Sequence, residues 1–401
     1  MEERTSRRAA LVLTPRLPWP EDDGGRIAMA QTIWAAAQEY DVTVISFAQA
    51  GAAPTPTPAA WRDLGIEVKI VPHRPPPAAV ALAQGLFGSL PYTLARYRSR
   101  EFGRAIDECV GTLRPAFALA NNLHMAPYVD RMDGVPFVLR EQNLEHLWMR
   151  RYADESLRGA ARTYARLQAR RLERAERSYC RAAALTLAIQ DGERDALRAL
   201  APGARVETLP VGIDLDRYPE PRRGEPPIVL LAGSFAWPPN AAGAIRFLGE
   251  GWPRVRAAEP NARLRIAGKA PPAGLIAAAR AAGAEVAADV PSMPEEMARA
   301  TVMVVPLWSG AGARVKIMEA LAARLPVVTT PLGVEGLGLE PERHYLEGAS
   351  AEDLGDRAAS LLRDPERRPS LAGEGRAHAE AHWSHVAVAR LQNQLVGQVA
   401  R

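Results

Sequence analysis

The sequence predicts two doubly wound α/β domains facing each other across a cleft. Apolar β-type runs alternate with helix-forming segments through both halves of the chain. Several of those runs end in glycine-rich or polar loops that open a helix, which is where parallel sheets bind ligands. A Pro/Arg/Gly-rich stretch at 218–227 divides the halves, and no sequence repeat relates them. The expected organisation is a first domain over 1–210, a linker over 211–227 and a second domain over 228–383. The closing helix, 384–401, joins the first domain.

Bulk properties limit the function classes. At 401 residues the chain exceeds one ordinary core, and 47% hydrophobic with 24% charged residues describes a globular protein. The net charge of +4 is too small to argue for nucleic acid as a partner, and no recognition motif supports one. No apolar run reaches the length of a membrane span, and the apolar run after the mixed-charge N-terminus is cut at Pro15, which predicts no signal peptide. Cys109 and Cys180 are the two cysteines. They lack metal-ligand spacing, so a reducing cytoplasm is expected and structural zinc is not. No acidic cluster with metal spacing occurs either, so no metal site is expected.

In chain order, residues 9–14 read as a buried strand that Pro15 stops. The loop Trp19 to Arg26 follows, with Gly24 and Gly25 where the strand turns into a helix over about 27–39. Such a pair can present backbone N–H groups to a phosphate, or can be a plain turn. Residues 41–47 and 67–71 read as strands separated by Pro/Thr and proline-cluster loops, and a helical region runs to about Leu113. A short strand over 117–120 leads to Asn121, Asn122 and His124. A histidine just past a strand's carboxyl end is placed for acid–base or positioning work, or is structural. Strand 135–139 ends in Arg140-Glu141-Gln142-Asn143. Residues 140–181 hold eleven arginines against six acids, with Leu167, Leu172, Ala175 and Tyr179 as an apolar stripe. That pattern is a solvated amphipathic helix or a basic face for anionic lipid headgroups. Residues 183–189 make the last strand of this half.

The second half restarts with strand 228–232 and the loop Gly233-Ser234-Phe235-Ala236-Trp237-Pro238-Pro239-Asn240. Strand 263–267 ends at Gly268-Lys269, and strand 285–288 follows a helix. The stretch 301–330 concentrates the chemistry. It contains a β-type run over 302–305, the loop Ser309-Gly310-Ala311-Gly312-Ala313, a helix over 314–323 and a buried strand at Val327-Val328. Val315, Met318, Ala322 and Leu325 recur at helical spacing and should face the sheet. A helix N-terminus offers unpaired N–H groups and a positive dipole end, and Gly310 and Gly312 let an anion approach the backbone. Arg314 and Lys316 are cations at that end, which is unfavourable unless an anion sits there. Glu319, one turn further in, can accept two ribose hydroxyls. The alternative is a surface loop with solvated charges.

These residues also carry a resemblance. Residues 232–240 (AGSFAWPPN), 309–330 (SGAGARVKIMEALAARLPVVTT), 333–337 (GVEGL) and 382–385 (HWSH) resemble the GT-B fold, nucleotide-sugar-dependent glycosyltransferases known as glycosyl transferases group 1. The resemblance spans nearly the whole chain and implies two Rossmann-like domains around a donor cleft. It implies a nucleoside diphosphate sugar as donor substrate, no cofactor and retention at the anomeric carbon. By resemblance Gly24-Gly25 is the N-terminal glycine loop, Glu319 the ribose-binding residue, and His124 and Glu141 to Asn143 lie near acceptor and sugar. Two departures stand out. Ala311 occupies the position of a first glutamate that often holds the donor sugar, and Phe235 and Asn240 stand where an arginine and a lysine are common.

The expected function is therefore sugar transfer to a sugar, lipid-linked or small-molecule acceptor in polysaccharide or glycoconjugate biosynthesis. Arg314, Lys316 and His124 are the catalytic candidates. Glu319, Gly24, Gly25, Gly233, Ser234, Gly310 and Gly312 are the donor-binding candidates. A cytoplasmic location, peripheral to the inner face of the membrane, goes with the basic face of 140–181. Alternatives are a nucleotide-sugar epimerase or hydrolase on the same fold, which needs a carboxylate to move protons, and a non-catalytic nucleotide- or partner-binding paralogue.

Overall fold

The computed structural model describes residues 7–21, 23–49, 56–310 and 314–400. The first half contributes β1 (Ala9–Thr14), α1 (Gly24–Ala37), β2 (Asp41–Gln49), α2 (Ala59–Asp63) and β3 (Glu67–His73). The helical region expected next is three helices, α3 (Ala78–Phe87), α4 (Tyr92–Ala95) and α5 (Arg100–Leu113). Pro91 starts α4, and the Ser99 hydroxyl caps α5 by accepting from Phe102 N at 3.3 Å. Then come β4 (Ala118–Asn121), a 3-10 segment (Leu123–Arg131), β5 (Phe137–Arg140), α6 (Glu145–Ser156), α7 (Gly159–Ala182), β6 (Leu185–Ala188), α8 (Asp191–Leu200) and β7 (Val206–Thr208).

The second half runs β8 (Ile228–Ser234), α9 (Pro238–Arg246), α10 (Trp252–Ala258), β9 (Arg263–Lys269), α11 (Ala273–Ala281) and β10 (Glu285–Ala288). It continues with α12 (Met293–Arg299), β11 (Val302–Val305), α13 (Val315–Ala322), β12 (Val327–Thr329) and β13 (Leu346–Glu347). Helices α14 (Ala351–Arg363), α15 (Arg367–Trp383) and α16 (His385–Gly397) close the chain.

Seven parallel strands form one sheet in the order β3-β2-β1-β4-β5-β6-β7, and six form the other in the order β10-β9-β8-β11-β12-β13. Helices cover both faces, so the central strands are apolar over most of their length and turn polar only at their carboxyl ends, at Thr14, Asn121, Arg140 and Ser234. Val12 pairs with Val44, and Val304 with Val328, all buried. Strand order reverses between β1 and β4 and again between β8 and β11. A doubly wound sheet opens its crevice at such a point. Here the two crevices are brought face to face.

Two connections hold them so. Ile213, in the segment after β7, pairs with Ser384. Its N–H donates to the Trp383 carbonyl at 2.7 Å, and its carbonyl accepts from His385 N at 3.0 Å. Helix α16 then lies on α1, where Gln392 Nε2 donates to Thr32 O at 2.8 Å and Asn393 Nδ2 to Ala35 O at 2.9 Å. Both amides are buried and point into the first domain, which gives this helix a register as well as an apolar face.

The stripe expected on 140–181 packs inward except at its first residue: Leu172 is buried, and Ala175 and Tyr179 lie partly buried against the core. The region is a hairpin, and the buried face of α7 is Ala165, Gln168, Ala169, Leu172, Glu176 and Cys180, whereas Leu167 faces solvent. The buried face also holds two polar residues that no apolar stripe includes, and both find partners inside: Gln168 on Tyr92 N and Gly85 O, Glu176 on His146. Among the described residues no helix is long and apolar enough to cross a membrane, and both cysteines are buried and free.

Candidate functional site

Between the domains lies a cavity of about 340 Å³. Its floor is the start of α13, and the reason is visible in the local sequence. Gly310 has φ 107, and a side chain there would sit 2.5 Å from the Trp237 ring. The loop therefore needs glycine on both counts. Arg314 takes the N-cap position of α13 and makes no side-chain capping bond, and the first turn carries no acid. The unpaired N–H groups of that turn are therefore left for an anion. Helix α13 is buried at Val315, Ile317, Met318, Ala320, Leu321 and Ala322, while Lys316 and Glu319, three residues apart, share the flank that lines the cavity.

Lys316 is held by a short relay. Its ammonium donates to Asn240 Oδ1, and Asn240 Nδ2 donates to Ser234 O at 2.8 Å. Gly233, with φ 140, is the neighbour that permits this. A Cβ there would lie 3.2 Å from Lys316 Nζ. Asn240 thus positions the cation in this chain. Enclosure on the cavity floor, then the Arg314 charge, push Lys316 down to about 7, against a smaller opposing pull from Glu319.

This shift predicts a proton signature. At pH 8 the free amine is mostly neutral, and a diphosphate beside it favours the ammonium. Nucleoside diphosphate binding at pH 8 should then take up close to one proton. At pH 6, where Lys316 is already charged, the lysine should contribute none. Titration calorimetry in buffers of different ionisation enthalpy measures this, and equal uptake by Lys316→Met at pH 8 would remove the lysine from the account.

Arg314 is buried rather than projecting. Its Nε donates to Leu332 O at 3.2 Å, and Nη2 lies 3.8 Å from Glu335 Oε2. It therefore ties the GVEGL segment to the floor as well as adding charge at the cavity wall. Glu319 is half-buried on the cavity wall. Its Oε1 accepts from the Tyr218 hydroxyl at 2.9 Å, and burial raises its pKa against the opposing effects of Tyr218, Arg217 and Lys316. Tyr218 comes from the stretch read as linker, and its neighbour Arg217 pairs with Glu21 of the first domain.

Across the cavity, α1 begins at Gly24. A Cβ there would meet Val315 Cγ2 at 3.0 Å, so the starts of α1 and α13 are in contact. Asp23 partly serves the α1 end itself: its Oδ1 accepts from Arg26 N at 3.0 Å, and both its oxygens accept from Arg16 at 2.7 and 2.9 Å. Gly25, Gln142, Asn143, Trp148, Gly233, Ser234, Trp237 and Lys269 also line the cavity. Arg151, from α6, reaches across to donate to Gly310 O at 3.3 Å.

Most of the sequence candidates therefore converge. Gly24, Gly25, Gly233, Ser234, Arg314, Lys316 and Glu319 line one cavity, and Gly310 shapes its loop. Gly312, with Ala311, lies outside the described residues, as do Asp22 and part of the 52–58 loop. His124 is not brought to the cavity lining. It packs edge-on to Tyr97 at 4.9 Å and bonds Asn122 through Nδ1, and burial holds it neutral, with its pKa down to about 4. Glu141 is 1% exposed beneath the neighbouring Gln142, with neither oxygen hydrogen-bonded, and burial raises its pKa.

Several solved structures share this fold over nearly their whole length. Sucrose-phosphate synthase from Thermosynechococcus elongatus aligns at TM-score 0.73 and 16% identity, covering 98% of this chain and 99% of that one. WaaG, a glycosyltransferase involved in lipopolysaccharide biosynthesis, aligns at 0.67 and 17%, covering 97% and 100%. The fold is GT-B. A third GT-B neighbour, Anabaena Alr3699/HepE in complex with UDP, aligns at 0.67 and 12%, covering 98% and 100%. Residues 226–364, nearly all of the second GT-B domain, match the family model described as Glycosyl transferases group 1. None of the curated proteins matches the chain in sequence.

Tyr218 and Arg151 went unnoticed in the sequence. Their partners are 101 and 159 residues away, and neither sits in a motif. Trp148 and Trp237 carried a weak signal as aromatics beside polar loop residues.

Proposed function

We propose that the chain is a glycosyltransferase that moves a hexosyl group from a nucleoside diphosphate sugar to an acceptor entering from the first domain. The observation that carries this reading is the uncapped start of α13 in an interdomain cavity, with Lys316 and Glu319 in helical register and Gly24 directly across. The diphosphate binds at that helix start, Lys316 neutralises it, and Glu319 takes the ribose. The bond from anomeric carbon to diphosphate oxygen breaks, the acceptor oxygen bonds that carbon, and the acceptor hydroxyl's proton is released. Charge on the departing diphosphate is stabilised by Lys316, by Arg314 and by the α13 backbone, the role a divalent cation would otherwise serve. Retention, a place in polysaccharide or glycoconjugate synthesis, and a cytoplasmic site of action are parts of the same proposal. They rest on the resemblance of the motifs. The basic face of 140–181 supports an acceptor presented at an anionic membrane surface.

An epimerase or hydrolase needs a free carboxylate in the cavity. Those lining it are engaged: Asp23 with Arg16, Glu21 with Arg217 and Glu319 with Tyr218. That favours transfer.

The test is thermal stability against nucleoside diphosphates, starting with UDP because it is the nucleotide described with HepE. A ligand held by the folded cleft at 100 Kd should add roughly 2.7 kcal/mol of stability, a shift of several degrees. Failure of every base to move the melting temperature would sink the donor site, and with it the transferase reading. Incubating donor with and without acceptor then separates transfer from hydrolysis.

A further inference from the structure

Helix α3 buries the wrong residues for a helix that faces water. Its sequence over Ala78–Phe87 contains no charge. The residues turned inward are small: Ala81 and Gly85, four apart, are both buried. Gly85 lies so close to α7 that a Cβ there would meet the Tyr164 hydroxyl at 2.3 Å. The large apolar side chains point out. Val80, Leu82 and Leu86 are each more than 40% exposed and Phe87 is 88% exposed, four of the ten exposed large hydrophobics among the described residues. A solvated helix would bury those four and expose the small ones.

The inverted face is fixed in place. Arg171 of α7 donates to the carbonyls of Gly85 at 2.8 Å, Leu86 at 3.0 Å and Leu90 at 3.2 Å, and also to Gly88 O. Gln168 Nε2 adds a bond to Gly85 O at 2.7 Å. The patch is therefore presented on a rigid support. Its surroundings are cationic. Arg96 lies over the Tyr92 ring, and the Cβ of Tyr92 packs beside Gly85. On α7, Leu167, Arg170 and Arg174 follow at helical spacing along the exposed stripe beside the contact with α3. Arg170 and Arg174 have no ion-pair partner among the described residues. Chain direction adds to this, because β3 ends at His73 and passes straight into α3. The patch therefore sits at the carboxyl edge of the first sheet, the edge that opens on the cleft.

We propose that α3 and the adjacent arginine stripe of α7 dock the first domain on an anionic lipid bilayer, with Leu82, Leu86 and Phe87 entering the acyl boundary and Arg96, Arg170 and Arg174 meeting the headgroups. A second copy of the chain fits less well, since two such faces would bring their arginines together. Apolar insertion ringed by basic residues is the combination that gives reversible attachment to charged membranes.

Vesicle flotation with the full chain tests this without using transfer activity, so the outcome is independent of the donor-site reading. The chain should float with vesicles of equal parts phosphatidylcholine and phosphatidylglycerol, and far less with phosphatidylcholine alone. Leu82→Ser/Phe87→Ser should weaken binding roughly tenfold or more, because two apolar insertions are lost. Arg170→Gln/Arg174→Gln should weaken it and reduce its salt sensitivity. All variants should keep the wild-type melting temperature, since these side chains are exposed. Absence of wild-type flotation overturns the proposal. So does flotation of the serine variant equal to wild type. A wild-type dimer in sedimentation velocity that Leu82→Ser/Phe87→Ser dissociates would assign the patch to self-association instead.

Discussion

Lys316→Met is expected to lower kcat/KM for sugar transfer by roughly 10²–10³-fold while leaving the melting temperature unchanged or raised. Removing one preorganised charge that faces a departing anion has an effect of about that size. The stability side has the opposite sign. The folded protein holds Lys316 down to about 7, so folding works against the charged form of this side chain. Methionine fills similar volume without that cost, and what is lost is the bond to Asn240 and the smaller attraction to Glu319. Steady-state kinetics with a scan of thermal unfolding reads both signs at once. Wild-type turnover in Lys316→Met would end the assignment of this cation to the diphosphate. Arg314 is the less informative target: its guanidinium also holds the Leu332 carbonyl, so loss of activity in Arg314→Ala would mix charge with loop position.

Glu319→Gln should weaken donor binding by about 10–100-fold, the range for losing charge-assisted bonds to two hydroxyls. Tyr218→Phe should cost less, roughly 2–10-fold, because the carboxylate stays and loses a single 2.9 Å bond that aims it. The readout specific to a ribose contact is discrimination. Wild type should prefer a nucleoside diphosphate over its 2′- and 3′-deoxy forms, Glu319→Gln should lose most of that preference, and Tyr218→Phe part of it. Calorimetric affinities for the three nucleotides decide the matter. An unchanged preference in Glu319→Gln would mean that the ribose is held elsewhere.

The second-domain wall of the cavity was legible in the sequence because its parts are local. Gly233 and Ser234 end a strand, Gly310 shapes a strand-to-helix loop, and Lys316 and Glu319 share a helix flank by spacing alone. Residues whose role depends on a distant partner were not. Tyr218 sits in a proline-rich stretch that reads as a tether, yet its hydroxyl reaches Glu319. His124 follows a strand as a site residue would, and it packs on the Tyr97 ring and bonds Asn122, contacts that the sequence does not display. On α7 the buried face contains Gln168 and Glu176, which no apolar pattern would include.

By itself, the sequence determined the two doubly wound domains, the strands at their centres and the helix start that faces the cleft. Periodicity, strand-end glycines and backbone donors act over a few residues, and those are written contiguously. Tertiary structure alone decided which polar groups are paired, how far Lys316 is shifted, and that α3 turns its large apolar residues outward. Each of these depends on burial and on partners tens to hundreds of residues away, and a side chain's environment exists only after the chain has closed around it.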